Sequence, residues 1–290
     1  MERFEDKKMN SKIQRWKIGF NIDNQEYKGN ELLAQKLSKK GYNALISDYV
    51  YISPDDVKRT FLHIPEGWES FYGKGIDLGS GVGCISATIA KKEQVKKIYS
   101  VELVESVVTL CQPIVINKIL DEPQRNKVVS VIGDFDNLNI KDSSLDFATC
   151  WFSMHHSLNP VVTLKEALRV LKPGGRFIFV DKFHNNDTPD KEIERMLNIV
   201  YSEEFLKNNF RPAGIKLTRR ENGEHEYRLF EWEKFIKKSG FKIIQEIVIK
   251  TDNPENRKVK NDANLPEVFV NYNIGGFGNR AVGFVLEKPL

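Results

Sequence analysis

The sequence is poor in cysteine and has no long apolar run. Its 290 residues include only three cysteines, Cys84, Cys111 and Cys150, and an odd number at wide spacing fits neither a disulfide framework nor a four-cysteine zinc site. No segment reaches the roughly 18–20 consecutive apolar residues that span a bilayer. The N-terminal stretch carries charges of both signs instead of the apolar core of a secretory signal. These absences predict a protein of the reducing cytoplasm without a membrane span.

A strong excess of one charge is also missing. The 44 lysines and arginines nearly balance the 40 aspartates and glutamates, for a formal net charge of +4. No stretch concentrates the positive charge that a phosphate backbone rewards, which argues against nucleic acid as a partner. Disorder is excluded as the main state because 40% of the residues are hydrophobic, as in ordinary globular proteins.

From residue 75 onward, short apolar runs alternate with helical patterns. The strand-like runs are 75–78, 97–103, 128–133, 145–152, 176–181, 241–250 and 281–286. The helical patterns are 82–92, 105–120, 161–171 and 231–239. Alternation of this kind implies parallel strands joined by right-handed crossovers. The sequence therefore predicts a doubly wound α/β fold, with residues 172–175 (Lys-Pro-Gly-Gly) ending one helix and turning the chain into the next strand.

The sharpest motif is a strand that runs into a glycine loop and then a helix, at Gly75–Gly83. Glycine lets a backbone approach a ligand closely and adopt a positive φ. Gly79, Gly81 and Gly83 give the spacing G-x-G-x-G, whereas a dinucleotide fingerprint needs its third glycine where Cys84 stands. The spacing therefore argues against a dinucleotide cofactor.

Acidic residues end the next two strands. Glu102 can accept hydrogen bonds from both hydroxyls of a ribose, and Asp134 can accept one from an adenine amino group. Either side chain could instead be a solvated carboxylate at a strand end.

In this order, residues 77–83, Glu102, residues 133–135 and residues 168–175 resemble the class I S-adenosylmethionine-dependent methyltransferases, in particular the type 11 group. Residues 152–156 also look like the segment that follows the fourth strand in that family. The resemblance covers residues 75–182 well and residues 231–290 more loosely. It implies a Rossmann-like methyltransferase fold with a mostly parallel seven-stranded sheet, and S-adenosylmethionine as the cofactor.

The resemblance also implies a set of cofactor-binding residues. They are Asp77, Gly79, Ser80, Gly81, Gly83, Glu102, Leu103, Asp134, Phe135 and Trp151. The glycines would lie against the methionine moiety with Asp77 near its amino group. Glu102 would hold the ribose, and Asp134 with the backbone of Phe135 would meet the adenine.

His155 and His156 are the candidate catalytic residues, because histidine suits proton transfer near neutral pH. We expect both to end the fourth strand, where alternation would send their side chains to opposite sides and leave one, His155, facing the substrate. The pair could equally shape the pocket without moving protons, and His184 is a further candidate. No metal site is predicted, because histidines adjacent on a strand cannot both point at one ion.

Residues 1–70 and 183–230 lie outside the core of residues 71–182 and 231–290. By the resemblance they are an N-terminal helical cap and a lid, and their aromatic, near-neutral composition favours a small-molecule acceptor such as a sugar, lipid head group or secondary metabolite, methylated on O or N. The mixed charges of residues 216–228 could contact a phosphate or carboxylate of the acceptor, but a solvated face is the default expectation. An RNA or protein methyltransferase and a non-catalytic cofactor-binding partner stay open as alternatives. The oligomeric state also stays open, with a homodimer among the options.

Overall fold

The computed structural model describes residues 13–212, 214–258, 262–274 and 280–290. The glycine-rich stretch 275–278 and the first twelve residues lie outside them. The described strands are β1 (Gln14–Arg15), β2 (Gly73–Leu78), β3 (Val95–Glu102), β4 (Val128–Ile132), β5 (Leu145–Trp151), β6 (Leu171–Asp181), β7 (Lys242–Thr251), β8 (Glu267–Val270) and β9 (Arg280–Glu287). They form one sheet in the order β1-β4-β3-β2-β5-β6-β9-β7-β8. Only β9, which pairs with β6 and β7, runs antiparallel among the described strands.

The sheet confirms the predicted doubly wound α/β fold, but it has nine described strands where seven were expected. The extra strands are β1, which pairs with β4, and β8, which pairs with β7. Both lie at the edges of the sheet and are two and four residues long. Runs this short carry too few alternations for a strand pattern to stand out from a polar segment.

Helices cover both faces of the sheet. The α-helices are α1 (Gln25–Lys40), α2 (Tyr42–Leu45), α3 (Pro54–His63), α4 (Cys84–Ala90), α5 (Gln112–Ile119), α6 (Glu122–Arg125), α7 (Pro160–Val170), α8 (Asp190–Leu197), α9 (Glu203–Asn208), α10 (Leu229–Ser239) and α11 (Pro254–Lys258). Helices α1, α3, α4 and α5 contribute to one apolar cluster, and α7 and α10 contribute to the other. Within the described residues, no helix combines the length and apolar composition needed to cross a bilayer.

The junction between α7 and β6 differs from its prediction. Helix α7 ends at Val170 and β6 begins at Leu171, so residues 172–175 belong to the strand instead of forming a turn before it. Gly174 has a φ of 75°, and its amide donates to the carbonyl of Lys288 at 2.9 Å. The return of the C-terminal chain beside this strand supplies a partner that local sequence does not reveal.

The parallel strands bring their carboxyl ends to one edge of the sheet. Strands β2, β3, β4, β5 and β6 end at Leu78, Glu102, Ile132, Trp151 and Asp181. The glycine loop, both acidic strand-end residues and the two histidines therefore follow strands that end side by side. This is the edge at which open α/β sheets bind ligands.

The centre of the sheet provides a test of the packing. Gly75 on β2 pairs with Phe147 on β5, and a Cβ at Gly75 would overlap the Phe147 ring. We expect Gly75→Ala to lower the free energy of unfolding in urea by about 1–3 kcal/mol, the usual cost of overpacking. In the control Gly19→Ala, the new Cβ would lie 3.6 Å from Asp134, so a change within about 0.5 kcal/mol is expected. Equal losses in the two variants would contradict this packing.

Candidate active site

The glycine loop connects β2 to α4 and is held in a conformation that favours glycine. Gly79, Gly81 and Gly83 have φ values of 67°, 50° and 83°. A Cβ at Gly79 would overlap the side chain of Ser153, whose hydroxyl donates to the Gly79 carbonyl at 2.9 Å. Gly79 therefore leaves room for the Ser153 side chain, and the backbone of Gly79 and Gly81 lines the cavity above the sheet edge.

Glu102 supports this loop from the neighbouring strand. Its Oε2 accepts from the amide of Gly81 at 3.0 Å, and its Oε1 accepts from the amide of Val104 at 2.9 Å. Burial raises the pKa of the Glu102 carboxyl, and these amide hydrogen bonds oppose the rise. The side chain thus shapes the loop in addition to facing the cavity beside it.

Asp134 anchors the N-terminal segment. Its Oδ2 accepts from the amides of Gly19 at 3.2 Å and Phe20 at 2.9 Å, while its Oδ1 accepts from the amide of Asp136 at 2.9 Å. A carboxylate has about four acceptor positions, so room for one further donor is left. The contacts also place Phe20 in the cavity wall.

Asp77 lies beneath the loop and is fully buried. Its Oδ2 accepts from the hydroxyl of Ser86 at 2.6 Å, whereas its Oδ1 has no hydrogen-bond partner among the described residues. Burial raises the pKa of this carboxyl to about 7, with the Ser86 hydrogen bond opposing the rise. A buried acceptor without a donor is costly in isolation, and a bound ammonium group would supply that donor.

Gln112, which no sequence pattern marks, braces the loop from α5. Its side-chain amide donates to the Ser80 hydroxyl at 3.1 Å and to the Gly81 carbonyl at 3.0 Å. Because these hydrogen bonds join residues about thirty positions apart, no local pattern in the sequence predicts them.

A cavity of about 330 Å³ lies above this edge. Seven of the predicted site residues line it: Gly79, Gly81, Glu102, Leu103, Asp134, Phe135 and His156. The lining does not include Asp77, Ser80, Gly83, Trp151 or His155. Trp151 packs instead against the ring of Phe61, with centroids 5.2 Å apart. Further wall residues come from outside the predicted core: Phe20, Glu26 and Tyr49 from the N-terminal segment, and Phe205, Arg211 and Glu224 from the insertion of residues 183–230.

The two histidines do not sit on a strand, so their predicted separation is wrong. β5 ends at Trp151, and Met154–His156 form a 3₁₀ turn. In this tighter turn successive side chains do not alternate between faces, and the two imidazole centroids lie 4.3 Å apart. His155 is fully buried, and it is His156, not His155, that reaches the cavity wall.

Each histidine is held through its Nδ1. The Nδ1 of His155 lies 2.6 Å from Oδ1 of Asp181, and the Nδ1 of His156 lies 3.0 Å from Oε1 of Glu26 and 3.0 Å from the Gly223 carbonyl. Burial lowers the pKa of His155 well below its ordinary value and raises that of Asp181 to about 7. Burial would also lower the pKa of His156, but its hydrogen bond with Glu26 prevails and raises it to about 9.

The predicted solvated face is wrong for Glu224, Glu226 and Arg228, which are buried, whereas Lys216, Arg220 and Glu221 are exposed. Lys182, which follows β6, forms ion pairs with Glu224 and, at 3.1 Å, with Glu226. Glu226 is also paired with Arg219 and lies 2.7 Å from His184. The two glutamates are only 1% and 6% exposed. Composition alone could not separate this network from a surface because both have mixed charge.

The insertion also contacts α1 directly, through Arg211. Nη1 of Arg211 donates to the carbonyl of Gln25 at 2.6 Å, and Nη2 donates to Asn222 at 2.9 Å. A Cβ at Gly29 would overlap the Arg211 guanidinium, so the missing side chain at this helical position makes room for the arginine. These contacts join the N-terminal segment and the insertion above the cavity.

Residues 76–179 match the family model described as a methyltransferase domain, of the type 11 group. This stretch contains the glycine loop, both acidic strand ends and the histidine turn. Residues 76–179 thus form a methyltransferase domain of the class I, type 11 group. S-adenosylmethionine is the cofactor of this domain.

Individual relatives agree with this assignment. Over 136 residues the chain is 26% identical to a ubiquinone/menaquinone biosynthesis C-methyltransferase from Geobacter sulfurreducens, covering 47% of this chain and 49% of that protein. It is 33% identical over 76 residues to a sarcosine/dimethylglycine N-methyltransferase from Halorhodospira halochloris, covering 26% and 27%. The matches thus span between about a quarter and a half of these curated relatives.

A solved structure shows the same fold. An S-adenosylmethionine-dependent methyltransferase from Thermotoga maritima superposes with a TM-score of 0.51 at 19% identity, covering 90% of this chain and 100% of that one. At this identity the likeness supports the arrangement of strands and helices and says nothing about the acceptor.

Glu102 can be tested through cofactor binding to the methyltransferase domain. Glu102→Gln removes the charge that holds the Gly81 amide and faces the cavity. We expect S-adenosylhomocysteine to bind about 10–100-fold more weakly in isothermal titration, the range for a lost hydrogen bond to a charged group. The control Glu105→Gln changes an exposed carboxylate that pairs with Arg15 at 2.6 Å and should leave affinity unchanged. Unchanged affinity in Glu102→Gln would remove Glu102 from the cofactor site.

Asp77 can be tested through proton release. Because its pKa is about 7, a nearby cofactor ammonium would favour the charged carboxylate and expel its proton. At pH 7 we expect S-adenosylmethionine binding to release about half a proton from Asp77, measured by titration in two buffers of different ionisation enthalpy. Asp77→Asn should abolish this release. The control Asp146→Asn changes a carboxylate near the start of β5, at the edge of the sheet opposite the cavity, and should preserve the release. The same proton count in Asp77→Asn as in the unmodified protein would contradict a contact with the ammonium.

Proposed function

We propose that this protein transfers the methyl group of S-adenosylmethionine to an oxygen or nitrogen of a small-molecule acceptor. The observation that carries the proposal is the cavity of about 330 Å³ that extends from the glycine loop to the histidine turn. Its volume lies at the lower end of the range for small-molecule sites. Its walls come from the domain core and from the two segments outside it.

The residues at the cavity fit the cofactor. Gly79 and Gly81 line the cavity with positive φ values, which suits close approach of a ligand to the backbone, and beneath the loop the buried Oδ1 of Asp77 has no hydrogen-bond donor among the described residues. The proposed holding residues are the glycine loop for the methionine moiety, Glu102 for the ribose, and Asp134 with Phe135 for the adenine. When bound, the cofactor supplies a methyl group already activated on a sulfonium.

The protein's contribution to such a reaction is alignment and exclusion of water. In-line displacement requires the acceptor atom within near-attack distance of the methyl carbon. We assign this alignment to the cavity wall at His156, the histidine that reaches the cavity. His155 would position that turn, since both oxygens of Asp181 hold it, one at the ring and one at the backbone amide.

Residues 1–70 and 183–230 are proposed as the cap and lid that select the acceptor. Their contacts support this role, because Arg211 joins the insertion to α1 and Glu26 of α1 meets His156. The wall they build includes aromatic side chains, Tyr49 and Phe205, together with the charges of Glu26, Arg211 and Glu224. A cavity of about 330 Å³ with walls from three parts of the chain suits a compact organic molecule better than a polymer.

The three cysteines are buried and free, in keeping with the prediction of a reducing cytoplasm. That compartment and a homodimer stay predictions.

A methyl-transfer assay tests the proposed acceptor class. Protein and tritiated S-adenosylmethionine are incubated separately with the RNA, protein and low-molecular-mass fractions of a cell extract. We expect label only in the low-molecular-mass fraction, and strongly reduced label with Glu102→Gln.

Label in RNA or protein would overturn the small-molecule proposal and favour the alternative substrates. No label in any fraction, with S-adenosylhomocysteine binding intact, would favour a non-catalytic cofactor-binding protein.

A further inference from the structure

Two imidazoles and one carboxylate meet at the wall of the cavity. His155, His156 and Glu224 each offer one ligand atom, and these atoms all lie within 4.8 Å of one another. We call this group the His-His-Glu cluster. It combines neighbouring residues of the 3₁₀ turn with a residue of the insertion, and His156 and Glu224 both line the cavity.

The surroundings of both rings match those of metal-binding histidines. Such histidines usually donate the N–H of one ring nitrogen to a carboxylate or carbonyl, which fixes the tautomer and orients the other nitrogen toward the metal. Here the Nδ1 of His155 meets Asp181 at 2.6 Å, and the Nδ1 of His156 meets Glu26 at 3.0 Å and the Gly223 carbonyl at 3.0 Å. In His155 the nitrogen for coordination is then Nε2, the ring atom that faces Glu224.

The separations between the three candidate ligand atoms can be compared with those around a bound metal ion. Ligand atoms about 2.1 Å from a tetrahedral ion lie roughly 3.4 Å from each other. Nε2 of His155 is 3.6 Å from Oε2 of Glu224. Since no pair of ligand atoms exceeds 4.8 Å, side-chain adjustments of an ångström or so bring all three into range.

Lys182 and Arg219 are the groups with which a metal ion would compete for Glu224, and the Nη2 of Arg219 lies 3.8 Å from its Oε2. The ammonium of Lys182 pairs with Glu224 and with Glu226, the latter at 3.1 Å. Because Glu226 is itself a buried carboxylate beside Lys182, the lysine keeps an ionic partner when Glu224 turns toward an ion. The buried charge of Lys182 therefore stays compensated.

We propose that the His-His-Glu cluster binds one divalent transition-metal ion, of the class of Zn²⁺, Fe²⁺ or Co²⁺. Two imidazoles with one carboxylate suit these ions better than Mg²⁺ or Ca²⁺, which prefer oxygen ligands. The ion would have positions open to the cavity, where an acceptor hydroxyl could coordinate and release its proton to solvent. That last role rests on the proposed methyl transfer, whereas metal binding itself does not.

The test measures metal binding to the full chain without cofactor or acceptor. Chelator-treated protein is titrated with ZnCl₂ alone in a non-coordinating buffer, and the visible absorption of a Co²⁺-loaded sample reports ligation by nitrogen. We expect one Zn²⁺ per chain. Asp181→Asn, which alters only the outer partner of His155, should weaken binding by about 10–100-fold. His156→Ala and Glu224→Gln, which remove ligands, should weaken it further.

Two variants control for adventitious binding by the same residue types. His63→Asn alters an exposed histidine at the end of α3, and Glu221→Gln alters an exposed glutamate of the insertion. Both should bind Zn²⁺ as the unmodified protein does.

Absence of stoichiometric Zn²⁺ binding, or affinity unchanged in both His156→Ala and Glu224→Gln, would overturn the proposal. Circular dichroism and unfolding midpoints, both measured without metal, establish whether each variant is folded. If a variant is not folded, the Co²⁺ spectrum of the unmodified protein is the test, and a spectrum without nitrogen ligation would contradict the proposal. Cofactor affinity is measured separately, so a failed metal site leaves the proposed methyl transfer standing.

Discussion

The candidate site depends on four buried or half-buried carboxylates at the carboxyl-end edge of the parallel strands. They are Asp77 within β2, Glu102 at the end of β3, Asp134 just after β4 and Asp181 at the end of β6. An ion taken out of water costs several kcal/mol, about the same order as a domain's whole stability, unless charges or hydrogen-bond donors compensate it. Glu102, Asp134 and Asp181 therefore recruit donors from segments that surround the cavity.

Each of these carboxylates accepts hydrogen bonds from a different segment and so fixes a different part of the site. Glu102 takes amides of the glycine loop and of its own strand end, which keeps the loop in shape. Asp134 takes amides at Gly19 and Phe20, which brings the N-terminal segment over the sheet. Asp181 takes the ring and backbone of His155, which orients the turn after β5. One electrostatic requirement thus positions three separate parts of the site.

The insertion is attached by the same principle. Its glutamates at 224 and 226 surround Lys182, and its Arg211 lies on the bare backbone of Gly29. These contacts are polar and partly buried, so they lose strength sharply when one partner is removed. The position of the insertion consequently depends on Lys182 and on α1, so a substitution in the insertion or at these partners alters the contacts of both.

Local patterns predicted the strands, the glycine loop and the acidic strand ends, because each depends on residues close together in the chain. Patterns failed where a partner is remote. The histidines were assigned to a strand because the turn that Asp181 holds is not visible at positions 155 and 156. Glu224 and Glu226 were predicted to be solvated because their partner, Lys182, lies some forty residues away in the chain. Gln112 carried no signal at all.

The sequence by itself therefore determined the class of fold, the spacing that distinguishes this glycine loop from a dinucleotide site, and the edge of the sheet where ligands bind. These follow from backbone sterics and from hydrophobic periodicity, which act over a few residues. Only the tertiary structure decided which histidine faces the cavity, and that Glu26 and Glu224 share its wall. Burial and charge compensation act between residues that the chain keeps far apart, and they are satisfied only once the chain has folded.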